Sequence, residues 1–134
     1  MLHIDIHSFS YKKGGIPKDE TGNGGGFTFD CRGILNPGRI EEYKSQTGKD
    51  IAVQEFLETK TEMPKFLELV KNIISINIDN YLERGFENLQ ISFGCTGGQH
   101  RSVYSAEKIA EFILQQYPAD IEIKLTHDEQ PQLN

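Results

Sequence analysis

The chain has 134 residues, 37% of them hydrophobic and 25% charged, with fourteen Lys and Arg against twenty Asp and Glu for a net charge of −6. That length suits one domain with a real core, and the acidic balance argues against a protein that coats nucleic acid, leaving only a local basic patch open. Two cysteines, Cys31 and Cys95, make no disulfide framework; no signal peptide opens the chain, and no apolar run approaches the roughly 20 residues that span a bilayer. A reduced, cytoplasmic protein is expected.

Leu2-His3-Ile4-Asp5-Ile6-His7-Ser8 alternates strictly, which predicts a strand with Leu2, Ile4 and Ile6 on its buried face. Gly14-Gly15, Pro17 and the tract Gly22–Gly26 make residues 12–26 a loop. Phe27–Cys31 predicts a second strand, stopped by Asn36-Pro37-Gly38. A short helix is expected over Asp50–Leu57 with Asp50 as N-cap. Met63, Phe66, Leu67, Val70, Ile74, Ile78, Tyr81 and Leu82 recur at helical spacing through Glu62–Arg84; Thr61 is placed to cap, Pro64 to sit in the first turn and Gly85 to stop the helix. Leu89–Phe93 predicts a third strand, Arg101–Tyr117 a helix with Val103, Ala106, Ala110, Ile113 and Tyr117 on one face, and Ile121–Leu125 a last alternating strand. The polar tail His127–Asn134 is expected to fray. The pattern predicts a single compact α/β domain over residues 1–126, with a mixed, mainly parallel sheet, flanking helices and a ligand loop at a strand-to-helix turn.

That loop is Gly94-Cys95-Thr96-Gly97-Gly98-Gln99-His100-Arg101-Ser102-Val103. Glycines let backbone N–H groups turn inward, arginine adds a planar forked donor, and a helix N-terminus follows, which together make an anion pocket best suited to phosphate. Three readings compete. In the first, Cys95, Arg101 and Ser102 form a Cys-x5-Arg-Ser phosphatase loop, with Cys95 as thiolate nucleophile, Arg101 on the phosphoryl oxygens and Ser102 steadying the sulfur. Against it, Gly94 stands where those enzymes usually carry His, and no pattern nominates an aspartic general acid. In the second, the same N–H groups with Thr96, His100 and Arg101 hold a phosphate without chemistry, and Cys95 is merely packed. In the third, the segment is a turn with a solvated arginine. A Walker loop is excluded, because no Gly-Lys-Ser/Thr follows the glycines. His3, Asp5 and His7 share one strand face, a spacing compatible with zinc, but a fourth ligand is missing and a polar outer face is the preferred reading. Lys12, Lys13 and Lys18 form a small basic cluster beside Tyr11, best taken as a solvated loop. No metal or cofactor is nominated.

The 94–103 segment resembles the Gly-Cys-Thr-Gly-Gly-Lys/Gln-His-Arg-Ser-Val signature of the C-terminal domain of the RNase adapter family RapZ. Three further stretches resemble that family in order: Ser8-Phe9-Ser10-Tyr11-Lys12 with Gly15-Ile16-Pro17 and Asp19, then Phe29-Asp30-Cys31-Arg32 with Asn36-Pro37, then Thr47-Gly48-Lys49-Asp50 with Val53. The resemblance implies a domain associated with small regulatory RNA and with sensing glucosamine-6-phosphate, similar to a phosphofructokinase subdomain. It covers the C-terminal domain alone, so nucleotide hydrolysis is not implied; a separate nucleotide-binding partner protein and an oligomer are both left open by the sequence. The chain ends His127-Asp128-Glu129-Gln130-Pro131-Gln132-Leu133-Asn134, where family members often end in a basic run, so little phosphate-backbone attraction to RNA is expected.

Arg32 and Arg101 are then expected to converge on one anion, with Asp30 or Asn36 bonding sugar hydroxyls; a plain Asp30–Arg32 ion pair is the competing reading. The expected function is a binding or sensing module for a phosphorylated small molecule, with the cysteine phosphatase as the alternative and an RNA adapter third. Candidate ligand residues are Cys95, Thr96, Gly97, Gly98, Gln99, His100, Arg101, Ser102, Asp30, Arg32 and Asn36.

Overall fold

The computed structural model describes residues 1–134. In chain order the elements are β1 (Leu2–Ser10), β2 (Gly26–Asp30), α1 (Ile51–Lys60), α2 (Met63–Arg84), β3 (Asn88–Cys95), α3 (Arg101–Gln116) and β4 (Ile121–His127), with 3-10 turns at Pro37–Arg39, Glu41–Tyr43 and Pro131–Leu133. The strands form one sheet in the order β2-β3-β1-β4, and every pairing is parallel. The mainly parallel sheet expected from the strand–helix–strand pattern is thus parallel throughout.

Register explains the core. Ile4 stands between Leu89 and Ile123, and Ile6 between Ile91 and Leu125, so one face of the sheet is continuous hydrocarbon. α3 lies across β1, β3 and β4 on that face. Its Val103, Ala106, Ile109, Ala110 and Ile113 are all buried, as are Met63, Leu67, Val70, Ile74 and Ile78 of α2. Each fully buried Val, Leu, Ile or Met among these contributes about 1.5–3 kcal/mol. α2 ends at Gly85, whose φ of +71° is left-handed, and the Phe86 N–H closes back on the Tyr81 carbonyl at 2.9 Å. The Thr61 hydroxyl caps the start of α2 by accepting the Met63 N–H at 3.0 Å. Asp50 occupies the N-cap position of α1, yet its carboxylate accepts the Thr47 N–H at 2.7 Å instead of capping the helix.

Two expectations need correction. β1 runs on to Ser10, because Phe9 and Ser10 pair with Gly94 and Cys95 although the polarity alternation has ended. The tail does not fray: β4 continues to His127, which parallel register sets beside Ser8 under α3 at 1% exposure. His127 is held by the Ser8 hydroxyl at 2.6 Å and the Glu107 carboxylate at 2.7 Å, while the Asn134 side chain accepts the His127 N–H at 2.7 Å. A polar stretch is anchored here by hydrogen bonds, which hydropathy does not register. On the opposite sheet face His7 pairs with Asp128 at 2.8 Å and His3 approaches Glu122 at 3.9 Å, each toward its own carboxylate. The parallel arrangement brings Ser10, Asp30, Cys95 and His127 to one edge of the sheet, and the loops that follow these strands gather there.

Candidate functional site

The loop between β3 and α3 is anchored from three sides. At β1, the Ser10 hydroxyl donates to the Thr96 carbonyl at 2.5 Å and accepts the N–H groups of Lys12 and Lys13. Below it, Gly94 is packed so closely under the rings of Phe9 and Tyr11 that no Cβ fits. From the 43–46 segment, the Lys44 and Gln46 carbonyls both accept from Gln99 Nε2 at 2.7 Å, and the Tyr43 carbonyl accepts from His100 Nε2 at 2.8 Å. Gly48 completes the clamp by donating to the Gln99 carbonyl at 3.0 Å. Gly98 makes the turn itself, at φ +68°.

Thus Gln99 and His100, expected to hold ligand, have their donor atoms committed to the 43–46 backbone. Burial holds the imidazole of His100 below the ordinary histidine value, so the ring is a neutral structural donor at pH 7. Cys95 borders the loop depression but is only 2% exposed, and its thiol donates to the Ser102 hydroxyl at 3.2 Å.

The backbone of the loop is available. None of the N–H groups from Thr96 to Val103 donates to an acceptor within the protein, because the first intrahelical donor is Tyr104, bonded to the His100 carbonyl. These donors and the start of the α3 dipole concentrate positive potential at one place.

Arg101 is 4% exposed, and its Nη1 donates to the Arg32 carbonyl at 3.1 Å and the Ile34 carbonyl at 2.7 Å. It therefore ties the loop after β2 to the N-terminus of α3. Its Nε is buried and has no partner. A buried guanidinium N–H without an acceptor is unfavourable by the desolvation penalty of the group, and Arg101 also lines the depressions at this end of the sheet. Arg32 bonds Asp30 through Nε at 2.9 Å and Nη2 at 2.8 Å, and its guanidinium stacks 3.8 Å from the Tyr11 ring centroid. Arg32 holds the Asp30 carboxyl below the usual carboxylate range. Of the two readings of Asp30, the ion pair is the arrangement found, and the Asp30 carboxylate does not face the cavity.

Two depressions adjoin at this edge. One, of about 300 Å3, is bounded by Lys44, Thr96, Gly97 and His100; the other, of about 260 Å3, by Arg32, Gly33, Leu35 and Arg39. Asn36, Thr96 and Arg101 form the wall common to both. Asn36 Oδ1 accepts the Gly38 N–H at 2.9 Å. No Asp or Glu lines either depression, although the chain carries six more acidic than basic residues. The site is a locally basic edge on an acidic protein. Arg39, Lys44 and Gly33 are not marked as ligand groups by the sequence; Gly33 lies just before the Asn36-Pro37 stop, and Arg39 and Lys44 after it. A larger groove of about 450 Å3 between β2 and α2 is lined almost wholly by apolar side chains such as Phe29, Phe66, Leu69 and Ile73, and offers no group suited to an anion.

Known proteins with the same pattern of residues extend across this whole fold. Residues 2–130 match the family model described as RapZ C-terminal domain. The chain is 36% identical over 126 residues to a nucleotide-binding protein of Endomicrobium trichonymphae, covering 94% of this chain and 41% of the relative. It is likewise 36% identical over 119 residues to a nucleotide-binding protein of Thermosipho africanus (89% and 40% covered) and 39% identical over 106 residues to one of Cereibacter sphaeroides (79% and 33% covered). The chain thus spans about two fifths or less of the length of these relatives. No helix is long and apolar enough to cross a membrane. With residues 2–130 matched by the family model, the chain belongs to the RapZ C-terminal domain family.

Proposed function

We propose that this domain binds a phosphorylated small molecule, a sugar phosphate such as glucosamine-6-phosphate, at the edge where β3 meets α3, and works as a sensor module for it. One observation supports the reading: the N–H groups of residues 96–103 have no acceptor within the protein, and Thr96, Gly97, Gln99, His100 and Arg101 of that loop line a depression free of carboxylates, Arg101 with an Nε that has no acceptor. A phosphate oxygen would satisfy both kinds of donor at once, and the surrounding Lys44, Arg32 and Arg39 would attract the anion despite the net negative charge. The shared Asn36 and Thr96 suit the hydroxyl groups of a sugar.

The cysteine phosphatase alternative has less support. Its nucleophile would be Cys95, which is 2% exposed, and although the Ser102 contact that reading expects is present, Arg101 Nη1 is taken up by the Arg32 and Ile34 carbonyls. A general acid is also lacking among the side chains lining either depression.

The test is thermal unfolding of the chain with inorganic phosphate, glucosamine-6-phosphate, ATP and a short structured RNA. A ligand confined to the folded state adds about 2.7 kcal/mol at one hundred times its Kd. Gly97 is the variant of choice, because it lines the depression and nothing lies within 4 Å of a Cβ placed there, so Gly97→Val adds bulk at the depression from an unobstructed Cβ. A sugar-phosphate shift present in wild type and absent in Gly97→Val is expected; no shift for any anion would return the loop to a plain structural turn.

A further inference from the structure

We infer that the ligand carries two anionic groups, one on the N–H loop and one on Arg32 and Arg39, so that the class recognised is a small sugar bisphosphate. The inference rests on the phosphate reading above and adds what the second depression takes. The two depressions share Asn36, Thr96 and Arg101, so they are halves of one site divided at the buried guanidinium. The loop half offers backbone N–H groups with Lys44 at its rim. The other half offers arginines: Arg39 is exposed and forms no ion pair, and Arg32 keeps Nη1 unengaged after Asp30 has taken Nε and Nη2. The stack on Tyr11 fixes the plane of the Arg32 guanidinium before any ligand arrives.

A neutral hydroxyl does not require that arrangement. Arginine forks match phosphate geometry, and their charge-assisted bonds are roughly twice as strong as neutral ones. Asp30 balances the charge of Arg32, which leaves Arg39 and Arg101 lining a space of about 260 Å3 without a carboxylate of their own. Size points the same way. Halves of about 300 and 260 Å3 each lie at or below the small end of ligand pockets, roughly 300–1,000 Å3, whereas the two joined fall within that range. A hexose lying across the dividing wall would present its middle hydroxyls to Asn36 and Thr96 and a phosphate to each side.

Isothermal titration of the chain with glucose-1,6-bisphosphate, glucose-6-phosphate, glucose-1-phosphate and inorganic phosphate tests this. The bisphosphate is expected to bind at least tenfold more tightly than either monophosphate. Arg39→Ala removes an exposed side chain and should leave the unfolding midpoint of the free protein unchanged, whereas Gly33→Val adds bulk from a Cβ with nothing within 4 Å, and its unfolding midpoint is measured alongside. Each is expected to bring bisphosphate affinity down to the monophosphate level. Monophosphates binding as tightly as the bisphosphate, or a tenfold preference that survives both variants, would overturn the two-anion inference while leaving the phosphate reading intact. No binding by any of the four would remove both.

Discussion

Gly48 lies far from the glycine loop in sequence, yet a Cβ there would run into the His100 carbonyl oxygen and the Tyr104 backbone at less than van der Waals distance. Those are backbone atoms of the loop and of the first turn of α3, so no rotamer change relieves the overlap. Gly48→Ala must therefore move the start of α3, or break the 3.0 Å bond from the Gly48 N–H to the Gln99 carbonyl. Overpacking of this kind costs about 1–3 kcal/mol, and the lost hydrogen bond adds about 1. For a domain of this size the melting temperature should fall by about 3–5 °C per kcal/mol. Urea unfolding followed by circular dichroism, with phosphate-ligand titration on the same samples, reads both effects. Gly97→Ala is the matched control, since the same added methyl meets open space and should change stability by less than about 0.5 kcal/mol. Equal stability of the Gly48 and Gly97 alanine variants, with ligand affinity of the Gly48 variant unchanged from wild type, would refute the view that the 47–50 segment clamps the loop.

Arg101→Met keeps the length of the side chain but leaves the Arg32 and Ile34 carbonyls without their donor; a loss of about 2–4 kcal/mol is expected in the urea midpoint, together with loss of phosphate binding. Glu107 is held below the ordinary glutamate value of 4.5 by its hydrogen bond from His127 and by the charge of Lys49. A depressed carboxyl contributes stability above its unfolded pKa and loses it as pH falls through the folded one, so Glu107→Gln should flatten the decline of stability below pH 4.5. An unchanged pH–stability curve would rule out that role. Burial pushes the Cys31 thiol up to about 12, and Cys95 is enclosed, so both should resist a thiol-reactive dye in the native state and titrate fully in denaturant. Rapid labelling of Cys95 in native protein would revive the nucleophile reading.

The order of strands and helices was legible because hydrophobic period is a local property: Leu2–Ser8 alternates at two, and Met63–Leu82 recurs at helical spacing. The loop was legible because glycines, a forked cation and a following helix are adjacent along the chain. What folding alone decided were contacts between residues tens of positions apart. Gln99 looks like a ligand group in sequence, and only its 53-residue-distant bond to the Gln46 carbonyl shows it to be a fastener. His127 looks like frayed tail until parallel register sets it beside Ser8, 119 residues away. Arg39 and Lys44 sit in unremarkable turns until the 3-10 segments carry them to the depression. Local pattern specified which elements form and where an anion loop lies; the parallel crossovers decided which side chains reach it, because that depends on distances the chain acquires only when the sheet closes.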